Sequence, residues 1–198
     1  MTIGRLARPL VRVSLAMLTL SSSAWIASAQ THDDHVMPSA AVHKNTAEQN
    51  ELVQAVRDAT ERFRDVLRAT AEGYALQFGC VSGGDFGAMG MHFVKGPLVG
   101  DGEVDVAHPE IVLYEPLPNG RLRLTGADFL VLADDWNKKH SGPPQLMGQL
   151  FHLFDSPNRF GLPAFYTLHV WAWKDNPNGT FTNWNPDVSC NAFNPDQQ

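Results

Sequence analysis

The sequence predicts an α+β fold in which a long N-terminal amphipathic helix packs on a curved antiparallel β-sheet or small open barrel. Apolar residues recur at helical spacing from about residue 45 to residue 73, and the pattern changes to a period of two after Cys80. Glycine, proline and Asn-Gly turns separate the later segments. Because an apolar helix stripe needs a sheet or another helix to cover it, we expect one α+β domain over residues 45–198.

The predicted helix begins at Asn45, which can act as its N-cap with Glu48 as the capping-box partner. Gly73 is a natural stop for it. Between them lie roughly seven helical turns. The apolar stripe consists of Leu52, Val53, Val56, Phe63, Val66, Leu67 and Tyr74.

Five strands are predicted by the alternation of apolar residues that follows. They lie near Met89–Lys95, Glu110–Tyr114, Arg121–Leu132, Leu150–Phe154 and Ala164–Trp173. The Asn119-Gly120 turn should join the second and third strands as a hairpin. We expect a short helical turn over residues 134–140 and an irregular C-terminal loop.

The first 29 residues have the features of a secretory signal peptide. Three arginines precede a short apolar run, and the small residues Ala27-Ser28-Ala29 form a cleavage site. We expect cleavage after Ala29, a flexible leader over residues 30–44, and a secreted or periplasmic protein. The apolar run is too short to cross a bilayer, and no later stretch has the roughly 18 uncharged residues of a membrane helix.

The charge of the chain argues against a nucleic-acid partner. The formal net charge is −6, and loss of the three arginines of the signal peptide makes it −9. Binding to a phosphate backbone requires a basic surface instead.

The two cysteines, Cys80 and Cys190, should form one disulfide in an oxidising compartment. Two free buried thiols are the alternative. If the two cysteines form a disulfide, neither thiolate can bind a metal or act as a nucleophile. The chain also has no GxSxG motif, which would mark a nucleophilic serine.

Four predicted strand faces are apolar apart from one side chain that can bind a metal. These side chains are His92, Asp128, His152 and His169. A buried lone carboxylate is costly unless it is paired or coordinates a cation. If the four faces line one cavity, three imidazoles and a possible carboxylate suit Zn, Cu, Mn or non-haem Fe.

A structural interpretation of the same residues stays open. Each histidine could be a hydrogen-bonded core residue, and Asp128 could pair with Arg123 or Arg159. The alternation of each strand does not show whether the four faces converge.

Phe165, Trp171 and Trp173 share the predicted face of His169 and are candidates for an aromatic ligand pocket. A metal with an open coordination position beside them predicts a hydrolase or oxygenase acting on a small hydrophobic substrate. The alternatives are a non-enzymatic binding module for a small apolar ligand or a sugar, and a metal-carrying periplasmic protein without turnover. The sequence carries no signal for an oligomeric state.

Several segments together resemble a family of secreted bacterial proteins of uncharacterised activity. They are GAMGMHFVKGPLVGDGEVD, PEIVLYEP, GRLRL, GQLFHLF, PNRFGLPAFYTLHVWAW and NPNGTFTNWNP. The resemblance covers most of the chain after the leader. It implies a shared single-domain fold and carries no activity.

Overall fold

The structure is a computed structural model that describes residues 44–195. The predicted signal peptide, its cleavage site and the leader up to residue 43 therefore lie outside the described residues. The helices are α1 (Ala47–Thr60), α2 (Val66–Ala71), α3 (Gly96–Val99) and α4 (Ala133–Asn137). The strands are β1 (Ala75–Ser82), β2 (Ala88–Val94), β3 (Ile111–Pro116), β4 (Leu122–Leu132), β5 (Gln145–Leu146), β6 (Gln149–Leu150), β7 (His152–Phe154) and β8 (Phe165–Val170).

The predicted single long helix is wrong, because the helical segment is broken before α2. A 3₁₀ turn over Glu61–Arg64 follows α1, and Asp65 then adopts an extended conformation. The Asp65 side chain accepts a hydrogen bond from the backbone N–H of Leu67 and so caps a new helix. Local side-chain bonding of this kind competes with helix continuation.

The start of α1 also differs from the prediction. Thr46, not Asn45, is the N-cap, and it forms a capping box with Gln49. Gly73 does end the helical segment, with a φ of +91° just before β1.

Six strands form an antiparallel sheet in the order β1-β2-β3-β4-β8-β7, and the sheet is curled into a half-barrel. The predicted hairpin between β3 and β4 is confirmed. The short strands β5 and β6 form a separate pair. The α+β class and the curved antiparallel sheet are therefore as predicted.

The two faces of the large sheet bury different groups. Leu52, Val53 and Val56 of α1 pack on one face, against Phe129 and Leu168 among other apolar side chains. The opposite face carries a second apolar cluster around Ile111, Leu113, Leu130 and Phe165, which the segment between β7 and β8 covers. The candidate site lies on this second face.

The disulfide between Cys80 and Cys190 is present, with the cysteines 110 residues apart in sequence. It ties the irregular C-terminal segment to edge strand β1. None of the helices in the described range is long and apolar enough to cross a membrane.

Candidate metal centre

Three of the four predicted ligands meet on the second face of the sheet. Asp128 of β4 and His169 of β8 are direct cross-strand partners, so their side chains share a face. His92 lies on β2, and β3 and β4 separate that strand from β8. Three strand spacings span roughly 14 Å on a flat sheet. The ring centroids of His92 and His169 are nevertheless only 5.8 Å apart, because the sheet is curled.

The three side chains are buried and close enough to share one ion. One candidate ligand atom from each of His92, Asp128 and His169 lies within 4.8 Å of the other two. Their exposed fractions are 4%, 3% and 2%. Two imidazoles and a carboxylate at this spacing match a ligand set used for zinc and for non-haem iron.

Two neighbours orient these ligands. The hydroxyl of Thr167 donates a short hydrogen bond to Oδ1 of Asp128. Nδ1 of His92 lies 3.2 Å from the carbonyl oxygen of Gly90. Since a carbonyl can only accept, Nδ1 carries the proton and the lone pair is on Nε2. Such supporting bonds fix the tautomer and orientation of metal ligands.

No hydrogen bond of this kind orients His169 within the described residues. Its Nδ1 lies 3.2 Å from Oδ1 of Asp128, but this contact lacks hydrogen-bond geometry. Within residues 44–195, neither ring nitrogen has a hydrogen-bond partner, although both are buried. An unpaired buried polar group costs about 1–3 kcal/mol, so two such atoms on one ring call for an explanation.

The electrostatic environment keeps His92 neutral. Burial, with a smaller effect of the neighbouring His169, lowers its pKa from 6.5 to about 4, although Asp128 and the Gly90 carbonyl act in the opposite direction. A neutral imidazole is the form that binds a metal.

The structure places His152 outside this group. It lies on edge strand β7 opposite Thr167, and its side chain is exposed. The arginines considered as partners for Asp128 also lie elsewhere. Arg123 approaches Glu115 at 3.6 Å, and Arg159 donates to the carbonyl oxygen of Ser82.

Of the three predicted pocket aromatics, only Phe165 lines the cavity at the site. Trp171 packs with Ala88 and Val188, and its ring lies 6.2 Å from that of His169. Trp173 instead reaches the helix side of the sheet, where its Nε1 donates to the Thr60 hydroxyl.

The prediction that Trp173 shares the face of His169 is wrong for a local reason. Strand β8 ends at Val170, where the N–H of Ala172 donates to the Val170 carbonyl oxygen. This tight turn ends the alternation on which the prediction depended.

The cavity that holds the three ligands is small and otherwise apolar. Its free space is about 30 Å³. That is enough for one or two water-sized molecules. The four phenylalanines that line it are Phe78, Phe154, Phe160 and Phe165. Ile111, Leu130, Leu162 and Met89 complete the apolar wall, and Thr167 is the remaining lining residue.

Sequence reasoning missed the supporting residues. Thr167 was given no supporting role, although it lies two positions before His169 and therefore on the same strand face. Phe78 and Phe160 could not be predicted, since Phe78 lies in an irregular part of β1 with a φ of +64° and Phe160 is in a loop.

Glu110 is a second buried acid that the sequence did not single out. It is 2% exposed, and its Oε2 accepts from the N–H of Leu130 at 3.1 Å. Burial raises the pKa of Glu110 to about 8, and the charge of Asp128 acts in the same direction.

No protein-family model matches the chain, and no match was found among curated proteins or solved structures. The chemistry of the site is therefore the basis for assigning a function.

Proposed function

We propose that this protein binds one divalent transition-metal ion through His92, Asp128 and His169. The observation that carries the proposal is the convergence of these three buried side chains on one point, with candidate ligand atoms within 4.8 Å of one another. The set contains donors suited to Zn, Cu, Mn or Fe.

The unpaired nitrogens of His169 favour a metal over a purely structural role. A core histidine normally forms hydrogen bonds that repay its burial, as His92 does with Gly90. His169 is 2% exposed and forms none with the described residues. A metal bond from one ring nitrogen would compensate for part of that cost.

Three protein ligands leave at least one coordination position free, which is the arrangement of catalytic metal sites. Here the free position would face the phenylalanine-lined cavity. Such a wall offers little to stabilise the charged transition state of a hydrolysis, whereas dioxygen, which is small enough for the free space, can enter the cavity at low cost. We therefore favour an oxygenase over a hydrolase, with a metal carrier or an apolar-ligand binding module as the alternative.

We also propose that the protein acts outside the cytoplasm. Two features support this: the pattern of the first 29 residues and the disulfide between Cys80 and Cys190.

The proposal is tested by metal analysis of the purified protein after incubation with Fe(II), Cu(II), Zn(II) or Mn(II) and removal of excess metal. The wild type should retain about one equivalent of at least one metal. His92→Ala, His169→Ala and Asp128→Asn should each reduce the retained metal at least about tenfold while the far-ultraviolet circular dichroism stays native.

His152→Ala is the matched control, because this histidine is on the neighbouring strand but exposed. It should retain metal as the wild type does. A wild type that retains less than about a tenth of an equivalent would contradict the metal site and leave the apolar binding module. Equal loss in the control would show that the ligand assignment is wrong.

A further inference from the structure

Met89 lies on the wall of the same cavity as His92, Asp128 and His169. It is 2% exposed. Met89 and His92 are three positions apart on β2, so the regular alternation of a strand would place them on opposite faces. The shared cavity therefore requires an irregularity between them.

A bulge at Gly90 supplies that irregularity. Val81 pairs with Gly90 and Ser82 pairs with Ala88, so Met89 is an extra residue with no partner across β1. Gly90 has a φ of +90°, and a Cβ atom at this position would lie 2.4 Å from the carbonyl oxygen of Tyr114. Only glycine fits here, and the bulge redirects the side chain of Met89 toward the site.

The thioether of Met89 changes the donor set of the site. Imidazole and carboxylate groups bind many divalent metals, whereas a thioether is a soft donor that favours Cu(I). Both cysteines are in the disulfide, so they provide no competing thiolate.

The charge of the site points to the same metal state. The two histidines are neutral ligands, and Asp128 contributes one negative charge. A divalent ion bound by these three groups keeps one net positive charge, which an anion such as hydroxide in a free coordination position would have to balance. A monovalent copper ion would be neutralised by Asp128.

We propose that Met89 Sδ occupies one of the free coordination positions and gives the site an added preference for copper in the Cu(I) state. This inference rests on the proposed metal site and specifies its metal. Met89 does not form the site, so His92, Asp128 and His169 bind Zn(II) without it.

The test compares Met89→Leu with the wild type in two titrations. Cu(I) affinity is measured without oxygen by competition with bicinchoninate, and Zn(II) affinity is measured by competition with a chromophoric chelator. Met89→Leu should weaken Cu(I) binding at least about tenfold and change Zn(II) binding by less than about threefold. X-ray absorption of the Cu(I) protein should show copper–sulfur scattering that the variant lacks.

Met91→Leu is the matched control, because Met91 is a buried methionine of the same strand that packs with Phe63 and Ala69, away from the cavity. It should bind both metals as the wild type does. Unchanged Cu(I) affinity in Met89→Leu, or an equal loss for both metals, would overturn the role of Met89 while the metal site stands. A wild type that binds neither metal would instead overturn the proposed function.

Discussion

The hydroxyl of Thr167 holds the carboxylate of Asp128 in place through a direct hydrogen bond. Replacing it by valine keeps the shape of the side chain and removes this bond. We expect Thr167→Val to weaken metal binding about 10- to 100-fold, as the loss of an orienting partner typically does. Competition with a chelator of known affinity would measure the change.

Thr125→Val is the control for this prediction. Thr125 is also fully buried on a strand, and its hydroxyl donates to the carbonyl oxygen of Leu113. Both variants should lose a similar amount of stability, about 1 kcal/mol. Equal metal affinities in the two variants would show that the Thr167 bond has no special role at the site.

Glu110 makes the stability of the protein depend on pH. Its folded pKa of about 8 exceeds its ordinary value of 4.5, so the folded state holds the proton more tightly than the unfolded state. This contribution to stability is fully present below about pH 4.5 and is lost as the pH rises through about 8.

Glu110→Gln removes this titration and keeps an oxygen for the N–H of Leu130. Relative to the wild type, the variant should therefore gain a few kcal/mol of unfolding free energy between about pH 5 and pH 8. Urea unfolding at several pH values would measure the difference. A difference that stays constant with pH would contradict the raised pKa.

The segment between β7 and β8 forms part of the cavity wall through Phe160 and Leu162. Phe160 of this segment contacts the ring of Phe78 at 5.4 Å between centroids and that of Phe165 at 6.1 Å. Removing the Phe160 ring opens the wall without touching a proposed ligand. We expect Phe160→Ala to release metal to excess chelator at least several-fold faster in a stopped-flow measurement, because the path to solvent is shorter.

Phe181→Ala is the control for the release rate. Phe181 is also half-buried, but it packs against the cluster between α1 and the sheet. It should release metal at the wild-type rate. Identical rates in both variants would mean that the metal leaves by another route.

Among the secondary-structure elements, the sequence predicts the strands better than their order in the sheet. Alternation correctly placed Asp128 and His169 within apolar strand faces, and the structure pairs them directly. The same pattern around His152 was misleading, because alternation does not show that β7 is an edge strand. Strand order depends on long-range pairing, which no local pattern records.

Irregular backbone explains the other differences between the predicted and the observed strands. β1 was not predicted because Phe78 and Gly79 both have positive φ, which interrupts the period of two. The turn at Ala172 and the Gly90 bulge likewise moved Trp173 and Met89 to faces that alternation does not predict. Each of these positions shapes the site or its surroundings.

The disulfide is a constraint on the whole molecule. Cys80 and Cys190 close a loop over a sequence separation of 110 residues. In the chain-entropy description, such a link adds about 4–5 kcal/mol by restricting the unfolded state. The double variant Cys80→Ser/Cys190→Ser should lose about this much unfolding free energy in urea.

Metal content provides the control for the disulfide prediction. Neither cysteine lines the cavity, so the folded double variant should retain metal as the wild type does. Unfolding midpoints that coincide for the two proteins would show that the link contributes nothing to stability.

The proposed ligands come from β2, β4 and β8, three strands that the chain reaches one after another with long stretches between them. No short peptide of this protein contains the site, in contrast to metal sites whose ligands lie within one loop. Contacts between distant residues form late in folding, since loop closure has to occur first. An ion at the proposed site would therefore bind only after β8 has docked, and it would then slow the opening of the finished sheet.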